Sequence, residues 1–125
     1  MKRVLPSSKQ KKRYLVYEIM SESAFKFEDV KRAVDLNLKN FLGSLGLAIA
    51  RPIIMPLFDG KRGIIKLSNS YLNEVKLGII LIKEINNKKV IFKNIHVSGI
   101  LNKAKRFLKG GPSHATNQSK SGNGV

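Results

Sequence analysis

The first half of the chain changes its apolar period once. In residues 14–20, Leu15, Tyr17 and Ile19 alternate with other side chains, which is the period of a half-buried strand. From residue 27 to residue 47 the apolar positions recur three or four apart, which predicts a long amphipathic helix. Its predicted core stripe is Val30, Val34, Leu38, Phe41 and Leu45.

Two prolines mark the next apolar run. Pro52 and Pro56 bracket it, and because proline cannot donate to an interior ladder, this strand should lie at a sheet edge. Asp59-Gly60 predicts a hairpin turn. Residues 63–67 are then the returning strand, with Lys61 and Arg62 near the hairpin tip.

The second half of the chain repeats the plan. A second helix is predicted from Ser68 or Ser70 to near Asn86-Asn87, with Leu72, Val75, Ile79 and Ile82 as its core stripe. Residues 90–97 form a last strand, in which the apolar phase slips around Lys93-Asn94 and predicts a bulge or bend. A short third helix follows Ser98-Gly99 and is expected to end near Lys109.

The predicted order is strand, helix, strand, strand, helix, strand and an extra C-terminal helix. Such a βαββαβ chain folds as a ferredoxin-like (split βαβ) α+β two-layer sandwich, with a four-stranded antiparallel sheet, two helices on one face and the second strand at an edge. We expect a basic N-terminal arm (residues 1–13), one ferredoxin-like RNA-binding domain (residues 14–109) and a flexible polar tail (residues 110–125).

Charge is distributed unevenly along the chain. All eight acidic residues lie between Glu18 and Glu84, whereas the formal net charge is +16. The purely cationic ends indicate a polyanionic partner, most simply nucleic acid. Cysteine is absent, which excludes disulfides and thiolate metal sites, and no apolar run is long enough to span a membrane. We therefore expect a cytoplasmic protein.

The residues do not suggest an active site. The histidines are His96 and His114, the acids are scattered, and no general acid and base or metal-ligand cluster is visible, so no catalytic residue and no protein-bound metal is expected. RNA reading by base stacking is disfavoured because residues 62–67 contain no aromatic side chain. Tyr14 and Tyr17 are more often packing residues in such strands.

Phosphate binding is the chemistry that the residues favour. In the third helix, Ile100, Leu101, Ala104, Phe107 and Leu108 share one side, while the opposite side is cationic. Two readings remain open for Ser98-Gly99, an ordinary helix cap or an anion site, and His96 is a sheet-face residue that could touch phosphate. The predicted RNA-binding residues are Lys9, Lys11, Lys12, Arg13, Lys61, Arg62, His96, Ser98, Lys103, Lys105, Arg106 and Lys109.

The second helix has more apolar residues than one buried stripe needs. Leu77, Ile80 and Leu81 form the surplus, and we expect either the third helix or a partner protein to cover them.

Several short segments together resemble the archaeal ribonuclease P protein component 2 family, over about residues 3–108. They are KRYLVYEI at residues 12–19, LGSLG at residues 42–46, GII at residues 63–65 and HVSG at residues 96–99 before a Lys-rich helix. The sequence departs from the family at Ile100, where a hydroxyl residue is common, and the tail from Gly110 onward lies outside the resemblance.

The resemblance implies a ferredoxin-like, non-catalytic subunit of the ribonucleoprotein that removes the 5′ leader of precursor tRNA. It implies that the RNA subunit carries out the chemistry with Mg²⁺. It also implies pairing with ribonuclease P protein component 3 and self-association within a heterotetramer. The alternative is a ribosomal protein or a general RNA chaperone on the same fold. An acylphosphatase-like enzyme would need a glycine-rich phosphate loop with a positioned Arg and Asn, which the sequence lacks.

Overall fold

The computed structural model describes residues 11–108. A short 3₁₀ turn (Asn69–Tyr71) precedes the second helix. The elements in chain order are β1 (Lys12–Met20), α1 (Phe27–Ala50), β2 (Ile53–Phe58), β3 (Arg62–Ser68), α2 (Leu72–Ile80), β4 (Glu84–Ile85), β5 (Lys88–Lys89), β6 (Ile91–Ser98) and α3 (Leu101–Lys105).

The main sheet has four antiparallel strands in the order β2-β3-β1-β6. This order confirms the ferredoxin-like prediction, and it confirms that the proline-containing strand β2 lies at an edge. The two central strands, β1 and β3, pair from Lys12↔Ser68 to Glu18↔Arg62. The hairpin turn at Asp59-Gly60 joins β2 to β3 as predicted.

Alternation along β1 divides the core in two. Leu15, Tyr17 and Ile19 pack with α1 and α2, as predicted. Val16 and the next strand's Ile64 point to the other face, where they pack against residues of α3 and the turn after it. The sheet is therefore covered by two helices on one side and by the short α3 segment on the other.

Helix α1 differs from its prediction after Leu38. Gly43 has a positive φ of 75° and interrupts the helical conformation. This kink changes the helical phase, so Leu45 is 74% exposed rather than in the core stripe. Phe41 precedes the kink and is also partly exposed, with its ring beside Gly78 of α2. After the kink the helix continues to Ala50, where Gly46 and Ala50 are the buried positions.

The segment after α2 also corrects the prediction. Helix α2 ends at Ile80, and Asn86 and Asn87 form the turn of the small β4–β5 hairpin, with φ of 55° and 66°. Asparagine tolerates this left-handed conformation better than most residues, so two adjacent asparagines favour a hairpin turn over a helix end.

Strand β6 contains the predicted irregularity. Val16 pairs with His96, whereas Tyr17 pairs with Asn94, so Ile95 is the extra residue of a bulge. Helix α3 ends at Lys105 and a turn carries the chain to Leu108, so it is shorter than predicted. No helix within residues 11–108 is long and apolar enough to cross a membrane.

Candidate nucleic-acid interface

Cations collect on the α3 side of the sheet. Because side chains alternate along a strand, Lys12, Lys66 and Lys93 lie on the same side as Val16 and Ile64, which contact α3. The α3 segment adds three exposed cations, Lys103, Lys105 and Arg106. We call these six residues the basic face.

Carboxylates are nearly absent from this side within the described residues. Glu18 is the one strand carboxylate there, and Arg62 pairs with it at 3.3 Å. Helix α1 instead contains local ion pairs, Lys31 with Asp35 at 2.9 Å and Arg32 with Asp29 at 3.2 Å. The excess positive charge is thus concentrated opposite the α1–α2 layer, where a polyanion would meet little repulsion.

Arg62 has internal partners. Its Nη1 donates to the backbone oxygen of Phe107 at 2.7 Å and its Nε donates to Glu18 Oε1 at 3.3 Å, while only 13% of the side chain is exposed. These bonds give Arg62 a structural role, in which it fastens the turn after α3 to the sheet, and the RNA contact at Arg62 stays a prediction. Its neighbour Lys61 remains exposed at the hairpin tip.

His96 lies on the same side of the sheet as the basic face, on the edge strand β6. Its ring stacks on Phe107 with centroids 4.1 Å apart and planes 18° from parallel. A shallow pocket is lined by these two rings together with Lys103 and Arg106. Burial lowers the pKa of His96 below its ordinary value, so the imidazole of the free protein is neutral at pH 7.

Ser98 is buried and fully engaged with Ile100. Its Oγ accepts from the Ile100 amide and donates to the Ile100 carbonyl, each at 3.0 Å. This arrangement favours the local capping reading of Ser98-Gly99 over an anion site, because the hydroxyl and that amide are already paired. Arg13 lies beside Gly99 and donates from Nη1 to the Lys12 carbonyl at 3.0 Å.

The predicted RNA-binding residues form separate groups. Lys11, Lys12 and Arg13 lie at the end of the sheet where α3 begins, and the pocket around His96 lies beside α3 itself. Lys61 lies at the opposite end of β1, about 25 Å away for nine strand residues. Lys9 and Lys109 lie outside the described residues.

The sequence does not reveal the role of three residues, two in the basic face and one in the pocket. The set predicted to bind RNA omits Lys66 and Lys93, and the sequence places Phe107 only on the docking side of the third helix. The available signal was the alternation itself, since Lys66 lies between Ile65 and Leu67 on the second face of a strand. Using that signal required knowing that α3 crosses this face of the sheet.

The two tyrosines of β1 are packing residues. Tyr17 is fully buried in the main core, and Tyr14 packs in the cluster beneath α3. Burial raises the pKa of Tyr17, with a smaller contribution from Asp59. Tyr17 is therefore not available to stack on a base, and Tyr14 is partly buried by packing, which agrees with the expectation that both are packing residues.

The surplus apolar surface of α2 stays uncovered by α3. Leu77, Ile80 and Leu81 are each about half exposed, and α3 packs on the other side of the sheet. The prediction that the third helix covers these residues is therefore wrong. Within residues 11–108, no group of three or more His, Asp or Glu side chains is placed to hold a metal ion.

Comparisons with known proteins identify relatives over nearly all of this region. Residues 13–109 match the model of the Rpp14/Pop5 family. Ribonuclease P protein component 2 of Thermococcus kodakarensis is 34% identical over 103 residues, covering 81% of this chain and 85% of the relative. The Saccharolobus solfataricus protein of the same name is 35% identical over 98 residues, covering 78% of this chain and 68% of the relative.

A solved structure has the same fold. One chain in the cryo-EM structure of yeast ribonuclease MRP superposes with a TM-score of 0.60 at 13% identity, covering 87% of this chain and 91% of that chain. At this identity the match supports the fold alone.

Proposed function

The chain belongs to the Rpp14/Pop5 family, and from this premise we propose that it is an archaeal ribonuclease P protein subunit that assists removal of the 5′ leader from precursor tRNA. The family match carries the proposal. The archaeal relatives named ribonuclease P protein component 2, at 34% and 35% identity, support the same role. Such a protein would act in the cytoplasm, where precursor tRNA is processed.

The subunit binds RNA through phosphate contacts made by the basic face and by Lys11, Arg13 and Lys61. The separation of this charge from the acid-containing helices supports the assignment. Phosphate contacts position a protein on RNA without reading sequence. The expected effect is to neutralise repulsion within the RNA core and so lower the Mg²⁺ concentration that the RNA requires.

The protein itself is non-catalytic in this proposal. The RNA subunit carries out the hydrolysis with Mg²⁺, and the chain binds no cofactor. His96 supports this division, because its ring stacks on Phe107 and its nearest polar neighbours in the pocket are cations, with no carboxylate to orient it as a general base.

A protein partner covers Leu77, Ile80 and Leu81. Ribonuclease P protein component 3 and a second copy of this chain, within a heterotetramer, are the partners we propose. Three neighbouring apolar side chains, each about half exposed, support an interface at the end of α2.

Reconstituted cleavage of precursor tRNA tests the proposal. Ribonuclease P RNA and component 3 are assayed with and without this protein, at a Mg²⁺ concentration where the RNA alone is nearly inactive. We expect cleavage at the mature 5′ end to depend on this chain. A Leu77→Ser/Leu81→Ser variant should lose stimulation, whereas Leu45→Ser, which changes an exposed leucine of α1, should retain it.

The negative outcomes are distinct. RNA binding without stimulation of cleavage would favour the ribosomal or chaperone alternative. Full stimulation by the Leu77→Ser/Leu81→Ser variant would remove the end of α2 from the partner interface while leaving the subunit role intact.

A further inference from the structure

The pocket beside α3 offers hydrogen-bond donors to an anion. Lys103 supplies an ammonium group and Arg106 a guanidinium group, and both residues are exposed. His96 supplies the third polar side chain, and the Phe107 ring holds it in place by stacking at 4.1 Å. Ammonium and guanidinium groups have no acceptor, so this set suits a phosphate oxygen better than a base edge.

His96 is the one lining group whose charge changes near neutral pH. The charged groups around it are cationic or already paired: Lys103 and Arg106 from α3, Lys93 from its own strand, and Glu18 of β1, which is bound to Arg62. Partial burial disfavours the imidazolium ion in the free protein. An arriving phosphate reverses this balance, because it supplies negative charge and an acceptor at the same place.

We propose that the pocket formed by His96, Lys103, Arg106 and Phe107 binds one phosphodiester of the RNA, and that His96 takes up a proton from solvent as the phosphate enters. This inference rests on the proposed function, since it specifies one contact within the RNA interface. No covalent bond changes. The neutral imidazole gains one proton, becomes an imidazolium ion and donates to a phosphate oxygen.

Linkage fixes the sign of the pH effect. The RNA complex binds a proton that the free protein lacks, so RNA affinity must fall as pH rises from the pKa of free His96 to its higher value in the complex. The fall is limited to about tenfold per pH unit for one proton. The free protein behaves oppositely: its unfolding free energy decreases as pH falls through the unfolded value of about 6.5, because the unfolded chain binds the proton more tightly.

The test measures binding of the intact protein to ribonuclease P RNA from pH 5.5 to pH 8 at fixed salt. Calorimetry in two buffers of different ionisation enthalpy counts the protons taken up. His96→Gln removes the titrating group and should make affinity nearly independent of pH with no proton uptake. His114→Gln is the matched control, since it changes the other histidine of the chain and should behave as the wild type.

A second readout does not depend on a variant that folds. The His96 ring is titrated by NMR in the wild-type protein with and without sulfate, a phosphate mimic that keeps its charge over this range. Sulfate should raise the pKa of His96. Salt-sensitive RNA binding that is independent of pH, or a His96 titration that sulfate leaves unchanged, would overturn the inference. Absence of salt-sensitive RNA binding would overturn the proposed function instead.

Discussion

At the residue scale, one close approach explains a glycine on a central strand. Gly63 pairs with Tyr17 across β1 and β3, and a Cβ at residue 63 would occupy the position of the Tyr17 hydroxyl. The Tyr17 ring fills the main core beside Phe92, with ring centroids 5.8 Å apart. Gly63 thus has a structural reason, the close approach of the Tyr17 hydroxyl, which could not be read from the sequence alone.

Gly63→Ala should therefore lower the free energy of unfolding by about 1–3 kcal/mol, because the tyrosine ring must move within a packed core. Gly99→Ala is the matched control. There the added Cβ would meet the end of the Arg13 side chain at 3.3 Å, which can move away. Urea unfolding of both variants measures the difference. Equal stability of the two would show that Tyr17 repacks freely, contrary to this account.

At the element scale, α3 is held to the sheet by few contacts. Ala104 and Leu108 are buried against Val16 and Ile64, and Arg62 binds the Phe107 carbonyl at 2.7 Å. A helix of five residues has little stability of its own, so these contacts determine its position. The position matters for function because the pocket around His96 has α3 as one wall.

Replacing Arg62 by methionine should lower the free energy of unfolding by about 1–3 kcal/mol, since Glu18 and the Phe107 carbonyl lose their donor in a partly buried site. Lys61→Met removes the same charge one residue earlier and should change stability by at most about 0.5 kcal/mol. Chemical denaturation compares the two variants. Hydrogen exchange at residues 104–108 should accelerate only in the arginine variant. If both variants unfold alike, Arg62 does not fasten this turn.

Helices and strands could be predicted where a single local sequence pattern determined the structure. The alternation in β1, the edge position of β2 and the β6 bulge follow directly from spacing and proline. Prediction failed where one residue changed the phase, as Gly43 did in α1, or where a turn resembled a helix end, as at Asn86-Asn87. It also missed the structural role of Arg62, because the carbonyl that accepts its hydrogen bond belongs to Phe107, which is distant in sequence.

At the scale of the whole molecule, function depends on the separation of charge between the two sides of the sheet. The ion pairs of α1 neutralise much of the helical layer, while the basic face lies on the other side. The sequence predicts that the cations of the α3 segment and of the start of β1 belong to the RNA-binding surface. It could not predict that Lys66 and Lys93 join them, since that depends on strand pairing and on which face α3 covers.

The salt dependence of RNA binding reports this separation directly. Each phosphate contact contributes about 0.7–0.9 to the slope of log K against log salt, through counterion release. Lys103→Ala/Lys105→Ala should therefore lower the slope by up to about 1.8, and Lys11→Ala/Lys12→Ala should act similarly if the start of β1 contacts RNA. Lys26→Ala/Lys39→Ala removes the same charge from exposed positions in and beside α1 and should have a much smaller effect. An equal decrease of the slope in all three variants would mean that RNA binding depends only on the net charge of the protein. Counterion release at bound phosphates cannot come from the side of the protein that faces away from them.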